Sequence, residues 1–156
     1  MPYMVWKPHV TVAAVIEKDD KFLLVEEETS NGIAFNQPAG HLESGEDIIS
    51  AVKREVNEET AWHFEPQYII AIQLWRKKPD FPTFLRVCFS GNVHSYKPDQ
   101  RLDDDIIATH WFNREEIAEK HNQLRSPLVL TSVDAYLAGE RYPLSLLKSY
   151  LDLEHE

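Results

Sequence analysis

Residues 38–62, PAGHLESGEDIISAVKREVNEETAW, constrain this chain more than any other stretch. Beyond Asp47 no Gly or Pro occurs until Pro66, and Ile48, Ile49, Val52 and Val56 recur at helical spacing. Ser44, followed three residues later by Asp47, gives the N-cap and capping-box signal that opens a helix here. On that helix Glu55, Glu58 and Glu59 stand at i, i+3 and i+4, so three carboxylates share one face within a turn. Like charges at this spacing repel by a few tenths of a kcal/mol per pair. A hard divalent cation that takes oxygen ligands removes the cost. The cluster therefore reads as a site for Mg²⁺ or Mn²⁺, against the plainer alternative of a solvated acidic helix end.

The flanking residues decide between the two. Gly40, five residues, Glu46, seven residues, Arg54-Glu55-Val56, one residue, Glu58-Glu59, one residue, Ala61-Trp62 resembles the Nudix box, Gly-x5-Glu-x7-Arg-Glu-apolar-x-Glu-Glu-x-Gly-apolar. Eight of its nine specified positions agree over 23 residues. The resemblance implies an α/β (α+β) fold, an α/β/α sandwich with a mixed sheet. It also implies a metal-dependent hydrolase of phosphoanhydride bonds. The departure is Ala61, where the family has Gly. An Ala in the left-handed conformation of a helix exit costs roughly 1 kcal/mol. Three further stretches, KPHVTVAAVI, NQPAGHLE and LRSPLV, resemble the NudJ phosphatase branch of the family. That branch implies release of orthophosphate from nucleoside di- and triphosphates and from hydroxymethylpyrimidine or thiamine diphosphate.

By the same resemblance Glu55, Glu58 and Glu59 hold the metal, with a carbonyl from Ala39 or Gly40. Glu55 or Glu59 is instead the general base. Arg54 pairs with helix carboxylates, Glu46 standing about two turns away, and orients them. A late acid from Asp103, Asp104 and Asp105 reaches the metal, with Asp104 as the representative. Arg125 and Ser126 precede Pro127 at a helix start, where free N–H groups favour anions. They are expected to bind substrate phosphate, with Arg86 and Arg76 as further cations beside Lys77 and Lys78. His41 reads as a structural or exposed histidine before a phosphate donor. Trp75 and Tyr68 read as core aromatics before stacking platforms.

The remaining strands and helices follow from local pattern. Residues 8–16 and 22–26 are apolar runs joined by Asp19-Asp20-Lys21, which predicts a hairpin. Glu26-Glu27-Glu28 reads as a solvated loop. Strands are expected at 33–37, 68–75, 84–93 and 106–112, and helices at 114–120, from Ser126 to before Gly139, and at 143–151. One domain spans residues 1–156, without repeat or linker.

The chain carries a formal charge of −10, which argues against nucleic-acid binding and leaves the field at an anionic substrate to local cations and metal. No apolar run approaches the ~20 residues of a membrane span. The opening MPYMVWKPHV lacks a basic region followed by a long apolar core, so no signal peptide is expected. Cys88 is the only cysteine, which fits a buried thiol and a reducing cytoplasm. The expected partner is a small-molecule diphosphate or nucleotide, with the protein a monomer or a homodimer. Two rival functions stay open: a pyrophosphohydrolase releasing pyrophosphate or nucleoside monophosphate, and a non-catalytic nucleotide sensor. The intact carboxylate set weighs against the sensor.

Overall fold

The computed structural model describes residues 4–152; the outermost residues of the expected domain, 1–3 and 153–156, lie outside the described residues. Two sheets stand between helices. The first runs in the order β5 (Ala39–His41), β1 (His9–Val15), β7 (Thr83–His94), β6 (His63–Arg76), β9 (Tyr142–Pro143). It is mixed: β1 lies parallel to β7, whereas β5 on β1 and β6 on both β7 and β9 are antiparallel. In the second sheet β3 (Lys21–Thr29) is bordered by β2 (Glu17–Lys18), β4 (Gly32–Asn36) and β8 (Ile106–Phe112). Helix α1 (Ile48–Thr60) covers one face, and α2 (Arg114–Glu119) and α3 (Leu128–Leu137) cover the other.

The alternation of side chains along the strands builds both cores. On β1 and just past it, Val12, Ala14 and Ile16 pack with Ala51, Val52 and Val56 of α1, while Ala13 and Val15 pack with Ile117, Val129 and Val133. Both faces being buried, β1 reads as one continuous apolar run. Val87 and Phe89 of β7 join the first core and Cys88, 0% exposed, joins the second. The expected α/β/α sandwich is therefore present, with two sheets.

Two local expectations are corrected. The hairpin at Asp19-Asp20 is made by β2 with the start of β3, not by β1 with β3, because β1 is used on both edges by β5 and β7. Asp19 and Asp20 have φ of 52° and 62°, the left-handed pair of a two-residue hairpin turn. The helix expected at 143–151 does not form. Pro143 pairs with Tyr68, and Leu144–Leu146 make a 3₁₀ turn; Leu144 and Leu147 pack on the first core, while Leu146, Tyr150 and Leu151 stay exposed and give no further turn of helix an apolar face.

Candidate active site

Helix α1 starts three residues later than Ser44 suggests. Asp47 is its N-cap, and the carboxylate accepts from the Ser50 N–H at 2.7 Å. Its exit is Ala61, with φ 64°, whose N–H donates to the Asn57 carbonyl. Ala61 thus takes the left-handed conformation usually left to glycine, and it is buried at 2% exposure.

Between these ends α1 presents Glu55, Glu58 and Glu59. Glu55 and Glu58 each have a carboxylate oxygen within 4.8 Å of one from Asp103, in the connection before β8. The late acid brought to the helix is therefore Asp103; Asp104, named from sequence, points to solvent and pairs with Arg101 at 2.7 Å. A hydrogen bond from the Asp103 N–H to the Glu58 carbonyl, 3.0 Å, ties that loop to the helix. Burial raises the Asp103 carboxyl above its usual range, and the neighbouring Asp104 and Asp105 add to this. Glu59 is bonded instead to β5. It is 7% exposed, and its Oε1 accepts the Ala39 N–H at 2.9 Å.

Glu55 and Glu59 resist ionisation without a counter-charge. Burial pushes Glu55 up to about 7, with Glu58 and Asp103 adding to the rise and Arg54 opposing it. Burial pushes Glu59 up to about 9, helped by Glu27, Glu55 and Asp103 and opposed by the Ala39 N–H. An all-oxygen set of crowded, partly buried acids suits a hard divalent cation, which supplies the charge that keeps them ionised. Among the described residues, Arg54 is the cation bonded to this cluster. It grips Glu46 with Nε and Nη2 at 2.6 and 3.0 Å, and from Nη1 reaches Glu55 at 2.8 Å and Glu58 at 3.1 Å. Nη2 also donates to the His41 carbonyl at 3.1 Å, joining α1 to the end of β5. The Glu46 carboxyl is held below its usual range by the Arg54 hydrogen bond.

Gly40 connects this cluster to a cavity. A Cβ on Gly40 would land on the Glu55 carboxylate. Gly40 also lines a cavity of about 480 Å³. Its floor is the face of the first sheet: Trp75 lies opposite Phe84, and Arg86 lies opposite Thr11. Phe81, Pro82 and Lys77 from the β6–β7 loop, Glu27, Asn36, His41, and Arg125 with Ser126 complete its wall.

The cations named from sequence fare differently. Arg125 lines the cavity and pairs with Glu27 at 2.9 Å. Ser126 lines it too, but its hydroxyl accepts the Leu128 N–H at 3.1 Å, just ahead of Pro127, which takes the N-cap position of α3 in place of Ser126. Arg76, at the end of β6, is exposed and does not line the cavity, and Tyr68 likewise lies outside it. Arg86 is 5% exposed, and its Nη atoms already donate to Gln73, Ser132, Asn36 and Gln37. With those four bonds made, it holds neighbours in place and has no terminal N–H left to clamp a phosphate. His41 lies on the rim against His9, its Nε2 3.2 Å from His9 Nδ1, and burial, His9 and Arg125 lower its pKa.

Glu27 was read as a loop acid. It belongs to β3, is 8% exposed, and stands between Arg125 and the α1 carboxylates. The only sequence signal for it was the apolar run before it, which continues as a strand to Thr29.

A family model described as the NUDIX domain matches residues 7–131. The chain belongs to the Nudix family. Phosphatase NudJ of Escherichia coli is 43% identical over 145 residues, covering 93% of this chain and 94% of the relative. The structure of a NUDIX hydrolase from Nitrosomonas europaea is 50% identical, with TM-score 0.89, covering 92% of this chain and 98% of that one. An ADP-ribose pyrophosphatase from Streptococcus suis, 19% identical with TM-score 0.65 over 87% of this chain and 96% of that one, shares the fold alone. This Nudix chain is a hydrolase acting on phosphoanhydrides.

Gly40 offers a direct test of the geometry. In Gly40→Ala the added methyl displaces the movable end of Glu55 rather than backbone, so turnover is expected to fall about 100-fold or more. Melting should stay close to that of the unaltered protein, because the clash is relieved by one side chain. Paired kinetics and thermal melts check this.

Proposed function

We propose that this enzyme is a NudJ-like phosphatase, which removes terminal orthophosphate from nucleoside di- and triphosphates and from hydroxymethylpyrimidine or thiamine diphosphate. The observation that carries the reading is the position of Gly40 between the carboxylate cluster and a cavity with both a cation and an aromatic wall. A relative named phosphatase NudJ at 43% identity supports the choice of orthophosphate. The single buried Cys88 fits action in the cytoplasm.

Glu55, Glu58, Glu59 and Asp103 would hold Mg²⁺, with Mn²⁺ as substitute, beside the Gly40 carbonyl. When bound, the metal neutralises phosphate oxygens and acidifies water. Glu55 or Glu59 takes the proton from the attacking water. Arg54 keeps Glu55 and Glu58 in position through the bonds already described, with Glu46 fixing the guanidinium. Arg125, which lines the cavity beside Glu27, meets the substrate phosphate.

Product identification tests the reading. Orthophosphate is expected from each substrate class, in a reaction that stops in chelator and resumes with added Mg²⁺. Pyrophosphate as the first product would instead establish the pyrophosphohydrolase. Arg125→Ala should lower kcat/KM by roughly 10- to 100-fold, the worth of one charged hydrogen bond in the transition state. Unchanged kcat/KM would leave Arg125 as a partner of Glu27 alone.

A further inference from the structure

Arg86 is a buried guanidinium whose Nη contacts are all neutral oxygens. Among the described residues no carboxylate pairs with it. The charge is instead spent on fixing the direction of side-chain amides. Gln37 turns its Oε1 to Arg86 and its Nε2 to the Val129 carbonyl, and Gln73 turns its Oε1 to Arg86 and its Nε2 to Ser132. Both amides are thereby engaged at each end. Asn36 differs. Its Oδ1 accepts from Arg86 at 3.3 Å, and its Nδ2 has no protein partner among the described residues, yet Asn36 lines the cavity. Turning the amide over would put an NH₂ group against a cation, so the donor end is held at the free side.

The same cavity has an aromatic wall. Trp75 and Phe84 are stacked with ring centroids 6.1 Å apart, and Phe81 and Pro82 stand beside them. A planar ring fits against such a surface, edge or face on.

We propose that Asn36 is a specificity-determining residue, donating from Nδ2 to a ring nitrogen or carbonyl oxygen of a heterocycle that lies against Trp75 and Phe84, with Arg86 as the positioning residue that fixes the donor. The inference rests on the proposed reading only in taking the cavity as the place of the substrate's organic group. It selects nitrogen heterocycles with an acceptor on the exposed edge over alkyl or phenyl groups.

The test uses ligands without a phosphoanhydride, so that it is independent of which bond the enzyme cuts. Calorimetry in Mg²⁺ compares cytidine monophosphate, which has a ring acceptor, with phenyl phosphate, which has a ring and none. Asn36→Ala and Asn36→Asp should each weaken cytidine monophosphate about tenfold relative to phenyl phosphate. Asn36→Asp keeps an oxygen for Arg86 and loses the donor; the negative charge it adds acts on both phosphates, so the ratio of the two affinities is what is read. Trp75→Ala should weaken both ligands. The proposal is overturned by an Asn36→Asp protein that keeps the preference of the unaltered enzyme. It is overturned equally by Asn36 variants that lose both ligands alike, or by an unaltered enzyme with no preference for cytidine monophosphate. Should Asn36→Ala not fold, the Asn36→Asp and Trp75→Ala comparison decides.

Discussion

Glu59→Gln should abolish most turnover, by about 10²- to 10⁴-fold in kcat, while making the metal-free protein more stable at alkaline pH. The two effects have one cause. Glu59 is buried, faces Glu27, Glu55 and Asp103, and has one compensating donor, the Ala39 N–H. Glutamine keeps the shape and an oxygen for that N–H but takes away the charge. The sign of the pH dependence follows from the raised pKa of about 9 in the folded chain against the ordinary 4.5. Between those values the folded state binds more protons than the unfolded one, so stability falls as pH rises. Glu55, raised to about 7, adds the same trend at the lower end of that window. Chelated protein should therefore melt at progressively lower temperature from about pH 5 to about pH 9, and Mg²⁺ should restore the loss in proportion to its binding. Glu59→Gln should flatten the chelated profile. Near-normal kcat in the folded variant would remove Glu59 from the chemistry, and an unflattened profile would show that its burial costs nothing.

What the sequence made legible was local. The apolar spacing of 48–56 placed α1, and the i, i+3, i+4 acids came with it, because a helix fixes which residues share a face. Asn113 with Glu116 forms the reciprocal cap of α2, a signal likewise contained within four residues. The misplaced features depend on distant chain. Which of Asp103, Asp104 and Asp105 reaches α1 is decided by one backbone bond from Asp103 to Glu58, and nothing in three identical residues encodes it. Glu27 looks like a solvated acid until β8 pairs along β3 and Arg125 arrives from a residue 98 positions away. The β1–β3 hairpin was the natural guess for neighbouring apolar runs, but a run buried on both faces takes partners at both edges, and these came from 39–41 and 83–94. Arg86 stands between apolar neighbours in sequence, Leu85 and Val87; only the folded sheet shows that its charge is directed at side-chain amides.

Arg54→Ala should cost both stability and activity, and the Arg54→Lys variant separates the reasons. Arg54 is bonded to Glu46, Glu55, Glu58 and the His41 carbonyl, with its side chain 21% exposed. Removing it leaves three carboxylates without their shared cation, a loss on the order of 2 kcal/mol once partial solvent access is allowed for. Two effects on metal binding then compete. A more negative cluster attracts a divalent cation more strongly, while unfixed carboxylates bind it 10- to 100-fold less tightly, the usual cost of losing an orienting partner. If Arg54 served only as counter-charge, Arg54→Ala would bind Mg²⁺ more tightly and regain its stability at high Mg²⁺, and Arg54→Lys would be nearly normal. The fork geometry argues otherwise, because Nε and Nη2 hold both oxygens of Glu46 while Nη1 is aimed at Glu55 and Glu58. An ammonium is a single point and cannot serve both directions. We therefore expect kcat to fall about 100-fold in Arg54→Lys as well as in Arg54→Ala, with the Mg²⁺ midpoint of thermal stabilisation moved upward in both. A lysine variant with normal kcat and an unmoved midpoint would reduce Arg54 to charge balance.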